Sequence, residues 1–375
     1  MPYFDYNATT PMHPAALEAW RETAEQAWHN PSSPYRAAAR AHALLEDARE
    51  RLAALLGGEA EDYVFTAGAT EANNAVFAHL ARKAPLARVL VSAIEHPSAR
   101  EAALASFLQR AELLPAGMDG VVDLEPVKLA VQSGGVALVS LMAANNETGV
   151  LQPWAEALEW CRKAGVPFHC DATQAFGKLP PENLAACDYV TGSAHKFGGP
   201  KGVGFLKIPR GDSDFHAQLG GEQEHGHRAG TENLPGVMAM LAALEARAPL
   251  LAPGAKEWLT ARVRFEKALA KAVPGAVVVG AGAERLWNTV MFLAPRHENM
   301  RWVAALDKRG FQVSTGSACA TGREGPSQVL AAMGMAPAAA RRAVRVSAGW
   351  ETSTADWDAL LEALRETGSA LDAGA

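Results

Sequence analysis

Apolar positions along the chain recur either at helical spacing or in short, continuous β-rich runs. Arg36–Leu56 has helical spacing and is followed by Gly57-Gly58, a common stop signal for helices. The β-rich runs that come next are separated by helical or turn material and lie at Tyr63–Thr66, Arg88–Ile94, Val136–Met142, Val166–Cys170, Asp188–Gly192 and Gly202–Ile208. This alternation predicts an α/β fold whose mainly parallel, mixed sheet is covered by helices.

The pattern changes near Ala252-Pro253-Gly254. Beyond this point a helix is predicted at Lys256–Val273, another before Gly310 and a closing one from Thr354. Strands are predicted between them at Ala276–Val279, Thr289–Leu293, Phe311–Ser314 and Ala343–Ser347. We therefore expect a large domain over residues 12–252 and a smaller α+β domain built from residues 1–11 and 253–375.

The bulk composition agrees with two folded domains. Of the 375 residues, 49% are hydrophobic and 20% are charged, which is enough apolar material to bury substantial cores. The net charge of −6 and the lack of a Lys/Arg cluster argue against nucleic acid as the main ligand.

Export, membrane and metal signals are weak. Asp5 stands where a secretory signal needs positive charge, and the longest apolar stretches, such as Val136–Ala144 and Val237–Leu244, are shorter than the roughly 20 residues of a membrane span. The four cysteines have no CxxC spacing, which argues against a disulfide framework or a zinc site. We expect a cytoplasmic protein with no membrane segment and no bound metal.

Polar residues of distinct chemistry follow the predicted strands. Gly68-Ala-Thr70 opens a helix, where backbone N–H groups and the helix dipole favour a phosphate, although Thr is also a common helix cap. His96 and Asn146 lie in loops, and Asp171 ends a buried strand; each alone is compatible with an ordinary loop or cap. Ser193-Ala-His-Lys196 follows the next strand.

Together these residues match one cofactor. Pyridoxal 5'-phosphate (PLP) needs a lysine that carries it, an acid for its ring nitrogen, donors for its phosphate and a flat group on its ring. The strand-end series supplies a candidate for each need, namely Thr70, His96, Asn146, Asp171, Ser193, His195 and Lys196. The sequence therefore predicts a PLP enzyme.

Seven motifs also match one known family. They extend over nearly the whole chain, at Phe4–Pro11, Phe65–Glu71, Asn145–Gly149, Asp171–Gln174, Gly192–Lys196, Arg228–Asn233 and Ser317–Cys319. In these motifs the chain resembles the class V aminotransferases, and among them the cysteine desulfurases of the nitrogenase-associated and iron–sulfur-cluster-assembly type. The resemblance implies the PLP-dependent transferase fold type I, with a catalytic cysteine loop on the small domain.

The resemblance implies a role for each matching residue of the PLP site. Lys196 would carry PLP and remove the Cα proton of the substrate, and Asp171 would contact the ring nitrogen of PLP. His96 would stack on the ring and, as a catalytic residue, handle protons near the substrate thiol. Asn146 and Gln174 would hold the ring hydroxyl. The implied phosphate ligands are Thr70, Ser193, His195 and, from the second subunit of a homodimer, Thr231.

Three further residues are implied to handle the substrate. Arg345 corresponds to the arginine that binds the substrate carboxylate, a role that suits its bidentate geometry, and Asn30 to another substrate-side residue. Cys319 matches the cysteine that accepts sulfur; by composition alone it could equally be a small apolar residue. The long stretch from Cys319 to Pro326 resembles the group with a flexible cysteine arm. The chain departs from the family in three places. Pro34-Tyr35 and Trp350-Glu351 lie at the expected substrate rim, and Cys170 directly precedes Asp171.

The implied reaction converts L-cysteine to L-alanine and leaves the sulfur on Cys319 as a persulfide. An acceptor protein would then take the sulfur, for iron–sulfur cluster or thio-cofactor synthesis. A selenocysteine lyase, or another class V aminotransferase in which Cys319 is idle, stays open as an alternative. A PLP-binding scaffold subunit of a cluster-assembly complex is the alternative of another class.

Overall fold

The computed structural model describes residues 2–181, 183–316 and 327–374, and its centre is a seven-stranded sheet. The strands within these residues are β1 (Tyr63–Thr66), β2 (Arg88–Ser92), β3 (Ala111–Leu114), β4 (Val136–Ser140), β5 (Phe168–Asp171), β6 (Tyr189–Ser193) and β7 (Gly204–Lys207). Their order is β1-β7-β6-β5-β4-β2-β3, and only β7 runs against the others. The predicted mixed, mainly parallel sheet is confirmed.

Helices lie along both faces of this sheet. In the part of the chain that the structure describes they are α1 (Pro14–Gln26), α2 (Arg36–Leu56), α3 (Ala69–Lys83), α4 (Pro97–Phe107), α5 (Glu125–Ser133), α6 (Trp154–Ala164), α7 (Leu234–Ala272), α8 (Asn299–Asp307), α9 (Gln328–Ala332), α10 (Pro337–Ala340) and α11 (Thr354–Ala373). Neighbouring strand residues belong to different hydrophobic clusters: Phe65 and Val139 to one, Val64 and Leu138 to the other. Burial on both faces explains why the strands read as continuous apolar runs.

A second sheet follows in the C-terminal part. It has the order β10-β9-β8, all antiparallel, with the strands β8 (Val277–Val278), β9 (Thr289–Leu293) and β10 (Ala343–Ser347). Its core is a third cluster that includes Phe292, Val344, Trp302 and Trp357. Phe4 is buried in the same cluster, so the first residues of the chain pack against this part. The division into two domains stays a prediction.

The helix α7 corrects the predicted break near Ala252-Pro253-Gly254. It is continuous over 39 residues, so the helix start expected at Lys256 is wrong. Pro249 and Pro253 lie inside it, four residues apart and both exposed, so that the same solvent-facing side loses backbone hydrogen bonds. Buried side chains such as Leu251 and Phe265 hold the helix on the protein despite the prolines.

Two further differences concern the membrane signal and one strand. The helix α7 is long enough to cross a membrane, and it contains a stretch of 18 residues that is apolar enough to do so. However, 56% of this stretch is buried inside the protein, as in a core helix. The strand predicted at Phe311–Ser314 is wrong: Gln312 and Ser314 form only isolated bridges, to Tyr3 and Arg345.

Candidate functional site

A cavity of about 540 Å³ opens at the carboxyl ends of the parallel strands. The loops after β1, β2, β4, β5 and β6 meet there because parallel strands end at the same edge of a sheet. Eight predicted site residues line it: Thr70, His96, Asn146, Asp171, Gln174, Ser193, His195 and Lys196. Residues that are up to 126 positions apart in the chain thus share one site.

Asp171, the last residue of β5, is held by two hydrogen bonds. Its Oδ2 accepts from Nδ2 of Asn73 at 2.9 Å, and its Oδ1 accepts from the backbone N–H of Thr173 at 3.0 Å. The residue is 4% exposed, and Asn73 is fully buried on α3. A carboxylate fixed in this way can accept a further hydrogen bond from a ligand without reorienting.

His96 caps the start of α4. Its Nδ1 accepts from the backbone N–H of Ser98 at 3.1 Å, so the proton of the neutral ring is on Nε2. Burial lowers the pKa of His96 and nearby Lys196 adds to this, whereas Asp171 opposes it. The imidazole is therefore neutral near pH 7, and it lines the cavity as a flat, uncharged group.

Lys196 lies in a short 3-10 turn directly after β6. Its Nζ donates to the backbone oxygens of Asn7 and Ala8 at 2.6 and 2.8 Å. The N-terminal segment of the chain therefore reaches the cavity and contacts the amine. A lysine at this place can present a nucleophilic amine to a ligand in the cavity.

One end of the cavity is built to favour an anion. It contains Gly68 and Thr70 at the N-terminus of α3, where the N–H groups of the first turn point outward, together with Ser193 and Lys201. Gly68 has φ 144°, and an added Cβ would lie 3.2 Å from Oγ of Ser193, so the packing here is tight. Burial lowers the pKa of His195 to about 4, and the nearby Lys196 and Lys201 contribute.

Gln174 and Asn146 complete the lining around the N-terminal segment. Nε2 of Gln174 donates to the backbone oxygen of Asn7 at 3.0 Å, and its Oε1 accepts from Lys178. The side-chain oxygen of Asn146 is buried and has no hydrogen-bond partner among the described residues. A buried amide oxygen without a partner is costly, so this atom is suited to meet a ligand donor.

Arg345 lies behind the cavity wall and does not line it. From β10, its Nη1 donates to the backbone oxygens of Asn146 at 3.0 Å and Gly316 at 2.8 Å. Its Nη2 lies 2.6 Å from Oδ1 of Asp5. The residue is 1% exposed, so the structure brings it to the edge of the site but not into contact with the space inside.

Two other predicted residues are not brought to the cavity. Asn30 and Thr231 are exposed and do not line it. The segment before Thr231 is nevertheless tied to the site, since Arg228 pairs with Glu71 of the lining at 2.9 Å. Cys319 lies outside the described residues.

Sequence reasoning missed Asn73, which holds Asp171. The signal was available, because Asn73 shares the buried side of α3 with Ala69, Ala72 and Val76. A polar residue at an apolar position of a helix indicates a specific hydrogen-bond partner.

Asn7 and Lys178 were also missed as site residues. Asn7 lies in a motif that carries the resemblance, but its contacts with Lys196 and Gln174 depend on the whole fold. Lys178 is 2% exposed, and burial of a lysine has no sequence signal of its own.

Comparison with known proteins shows the family of this chain. The family model described as "Aminotransferase class-V" matches residues 2–360. A cysteine desulfurase of Cereibacter sphaeroides is 40% identical over 96% of this chain and 94% of its own length; one of Klebsiella pneumoniae is 38% identical over 92% and 87%. The solved structure of a NifS-like protein from Rickettsia africae has a TM-score of 0.88 at 28% identity, covering 98% of this chain and 99% of its own. The fold type that the resemblance implied is thereby confirmed, and this chain belongs to the class V aminotransferase family, among the cysteine desulfurases.

Proposed function

We propose that the cavity binds PLP on Lys196 and that the enzyme converts L-cysteine to L-alanine, passing the sulfur to Cys319. The observation that carries the proposal is that an amine, a fixed carboxylate and a helix N-terminus face one cavity. PLP has a carbonyl for the amine, a ring nitrogen for the carboxylate and a phosphate for the helix N-terminus.

The remaining lining supports the same assignment. The neutral, flat ring of His96 suits stacking on the cofactor. The buried Oδ1 of Asn146, which has no hydrogen-bond partner in the part of the chain that the structure describes, suits a ring substituent. Thr70, Ser193 and His195 would bind the phosphate, and Lys201 lines the same cavity. The lining thus offers a group for the carbonyl, the ring nitrogen, the ring substituent and the phosphate of PLP.

In this mechanism bound PLP supplies the electron sink that lets the Cα–H bond of the amino acid break. The amine of Lys196 would take the Cα proton of the substrate. Asp171 keeps the ring nitrogen protonated, and Asn73 keeps Asp171 in place for this. Arg345, whose Nη1 donates to the backbone oxygen of Asn146 at the cavity edge, would bind the substrate carboxylate.

Sulfur leaves in a step that needs Cys319. Its thiolate bonds to the substrate sulfur while the bond between that sulfur and Cβ breaks. The two electrons of the broken bond stay on the carbon skeleton, which takes up protons and becomes alanine. The enzyme persulfide then hands its outer sulfur to an acceptor protein, which completes the cycle.

The proposed active unit is a homodimer. Thr231 is exposed and does not line the cavity of its own chain. Its segment is held on that chain by the ion pair between Arg228 and Glu71. An exposed but fixed hydroxyl suits a phosphate contact in a second copy. A cofactor held by two chains would stabilise their association.

The decisive experiment is borohydride reduction of the PLP-loaded protein followed by peptide mapping. We expect the label on Lys196, and none on Lys178 or Lys201. A label elsewhere would overturn the cofactor site. Turnover of cysteine and of selenocysteine by the isolated protein, with alanine as the product measured, then separates a desulfurase from a selenocysteine lyase and from a scaffold subunit.

A further inference from the structure

A second lysine, Lys178, is buried behind the cavity. It is 2% exposed and does not line the cavity, and its Nζ donates to Oε1 of Gln174. Its backbone is fixed as well, since its carbonyl oxygen accepts from Nε1 of Trp287 at 2.9 Å. None of the steps proposed above uses this amine.

Lys178 contributes to the orientation of the Gln174 amide. The backbone oxygen of Asn7 can only accept, so the nitrogen end of the amide must face Asn7 and the oxygen end must face Lys178. Without Lys178, the oxygen would be buried with no donor, which costs about 1–3 kcal/mol in a typical case. The amide would then rotate toward another donor, and its nitrogen would lose the hydrogen bond to the backbone oxygen of Asn7.

The electrostatic surroundings allow the amine to lie there. Burial lowers the pKa of Lys178 well below the ordinary lysine value, and the cations Lys196 and Arg345 lower it further. An amine that loses its proton easily can stay beside two cations with little repulsion, while still donating an N–H bond to Gln174.

We infer that Lys178 is a positioning residue, which holds Gln174 with its amide nitrogen toward the ring oxygen of the cofactor. The inference rests on the proposed function, in which Gln174 contacts the ring hydroxyl of PLP. A donor at this oxygen stabilises its anionic form and so lowers the pH at which the bound chromophore loses its proton.

The test is a double-mutant cycle with the PLP-loaded protein, read by the pH midpoint of its visible absorption change. Lys178→Met and Gln174→Ala should each raise the midpoint by about one unit or less, and the double variant should show no further rise. Lys207→Met is the matched control, because Lys207 is a buried lysine that donates to the backbone oxygen of Cys187, and neither residue lines the cavity. It should leave the midpoint unchanged.

Two outcomes would overturn the inference: an unshifted midpoint in Lys178→Met, or additive shifts in the double variant, which would mean that Lys178 acts by charge alone. Lys178→Gln keeps an N–H donor and should shift the midpoint less than Lys178→Met. If Lys178→Met does not fold, the same cycle is built with Lys178→Gln. Failure to trap PLP on Lys196 would instead contradict the proposed function itself. The trapping experiment and the pH midpoint therefore distinguish a failure of the proposed function from a failure of this inference.

Discussion

Nη2 of Arg345 lies 2.6 Å from Oδ1 of Asp5, in an ion pair that joins β10 to the N-terminal segment. The guanidinium is 1% exposed and the carboxylate side chain 20%. A buried cation that loses its counter-ion is destabilising, because its desolvation is no longer offset. The same arginine is the proposed ligand of the substrate carboxylate, so stability and substrate binding depend on one pair.

Removal of the Asp5 charge is expected to destabilise the protein. Asp5→Asn should lower the free energy of unfolding by about 1–3 kcal/mol, since a charged hydrogen bond to a buried group is lost. Urea unfolding at pH 7 measures this. Asp358→Asn is the matched control, because Asp358 pairs with Arg264 where both side chains are more than half exposed, and should cost about 0–1 kcal/mol. Equal losses in the two variants would contradict the prediction.

Substitution of the arginine itself is expected to weaken substrate binding. Arg345→Lys keeps the charge but loses the planar fork that binds a carboxylate with two hydrogen bonds. The KM for L-cysteine should therefore rise by roughly 10- to 100-fold, while PLP stays bound. Steady-state kinetics with alanine as the measured product test this. An unchanged KM would remove Arg345 from the substrate site.

Asn73 is expected to support cofactor binding through Asp171. Asn73→Ala removes the donor to Oδ2 of Asp171 and should weaken PLP binding by roughly 5- to 30-fold in a titration of the apoprotein. Asn74→Ala is the control, since Asn74 is the next residue on α3 and bonds only the backbone of Thr70 at an exposed position among the described contacts. Similar losses in both variants would point to a general effect on the helix.

Cys319 is expected to act after the cofactor chemistry has begun. Cys319→Ser should keep PLP and still show spectral changes on cysteine addition, yet form almost no alanine or persulfide, because a serine hydroxyl is a poor nucleophile without an added base. Cys187→Ala, which changes a buried cysteine, serves as the control and should keep near-normal turnover. Sulfur release by Cys319→Ser at the normal rate would leave the reaction unassigned.

Stability should fall as the pH falls from 6.5 toward 4. Burial lowers the pKa of His195 from 6.5 to about 4, so within this range the unfolded chain binds a proton that the folded protein does not. Proton uptake by the unfolded chain therefore favours unfolding as the pH falls below 6.5, whereas above pH 6.5 neither state binds a proton at this residue and no stability is lost. His195→Gln should show a smaller loss between pH 7 and pH 5 in urea unfolding. His169, whose pKa burial also lowers to about 4, retains part of the dependence.

The exposed His42 offers the control for this prediction. His42→Gln removes an imidazole from the solvent-facing part of α2 and should keep the pH dependence of the original protein. If His42→Gln and His195→Gln flatten the dependence equally, the burial of His195 is not its cause.

The sequence by itself determined six of the seven strands of the large sheet, all but β3, and eight of the residues that line the cavity. The bounds of α2 and of β1 follow from helical spacing, a Gly-Gly stop and a β-rich run, all of which are local features. The loops after parallel strands meet at one edge, so the strand ends alone indicated that Thr70, Asp171 and Lys196 share a site. Local patterns and one topological rule were sufficient for this.

Only the tertiary structure decided the surroundings of these residues. Asn7 meets Lys196 across 189 positions, and Arg345 meets Asp5 across 340, and no local pattern encodes such pairs. The continuity of α7 through Pro249 and Pro253 likewise comes from packing, which outweighs the helix-breaking tendency of proline when the lost bonds face solvent. The hydrogen bond from Lys178 to Gln174 also depends on the tertiary structure, because a lysine needs a specific partner only where the fold buries it.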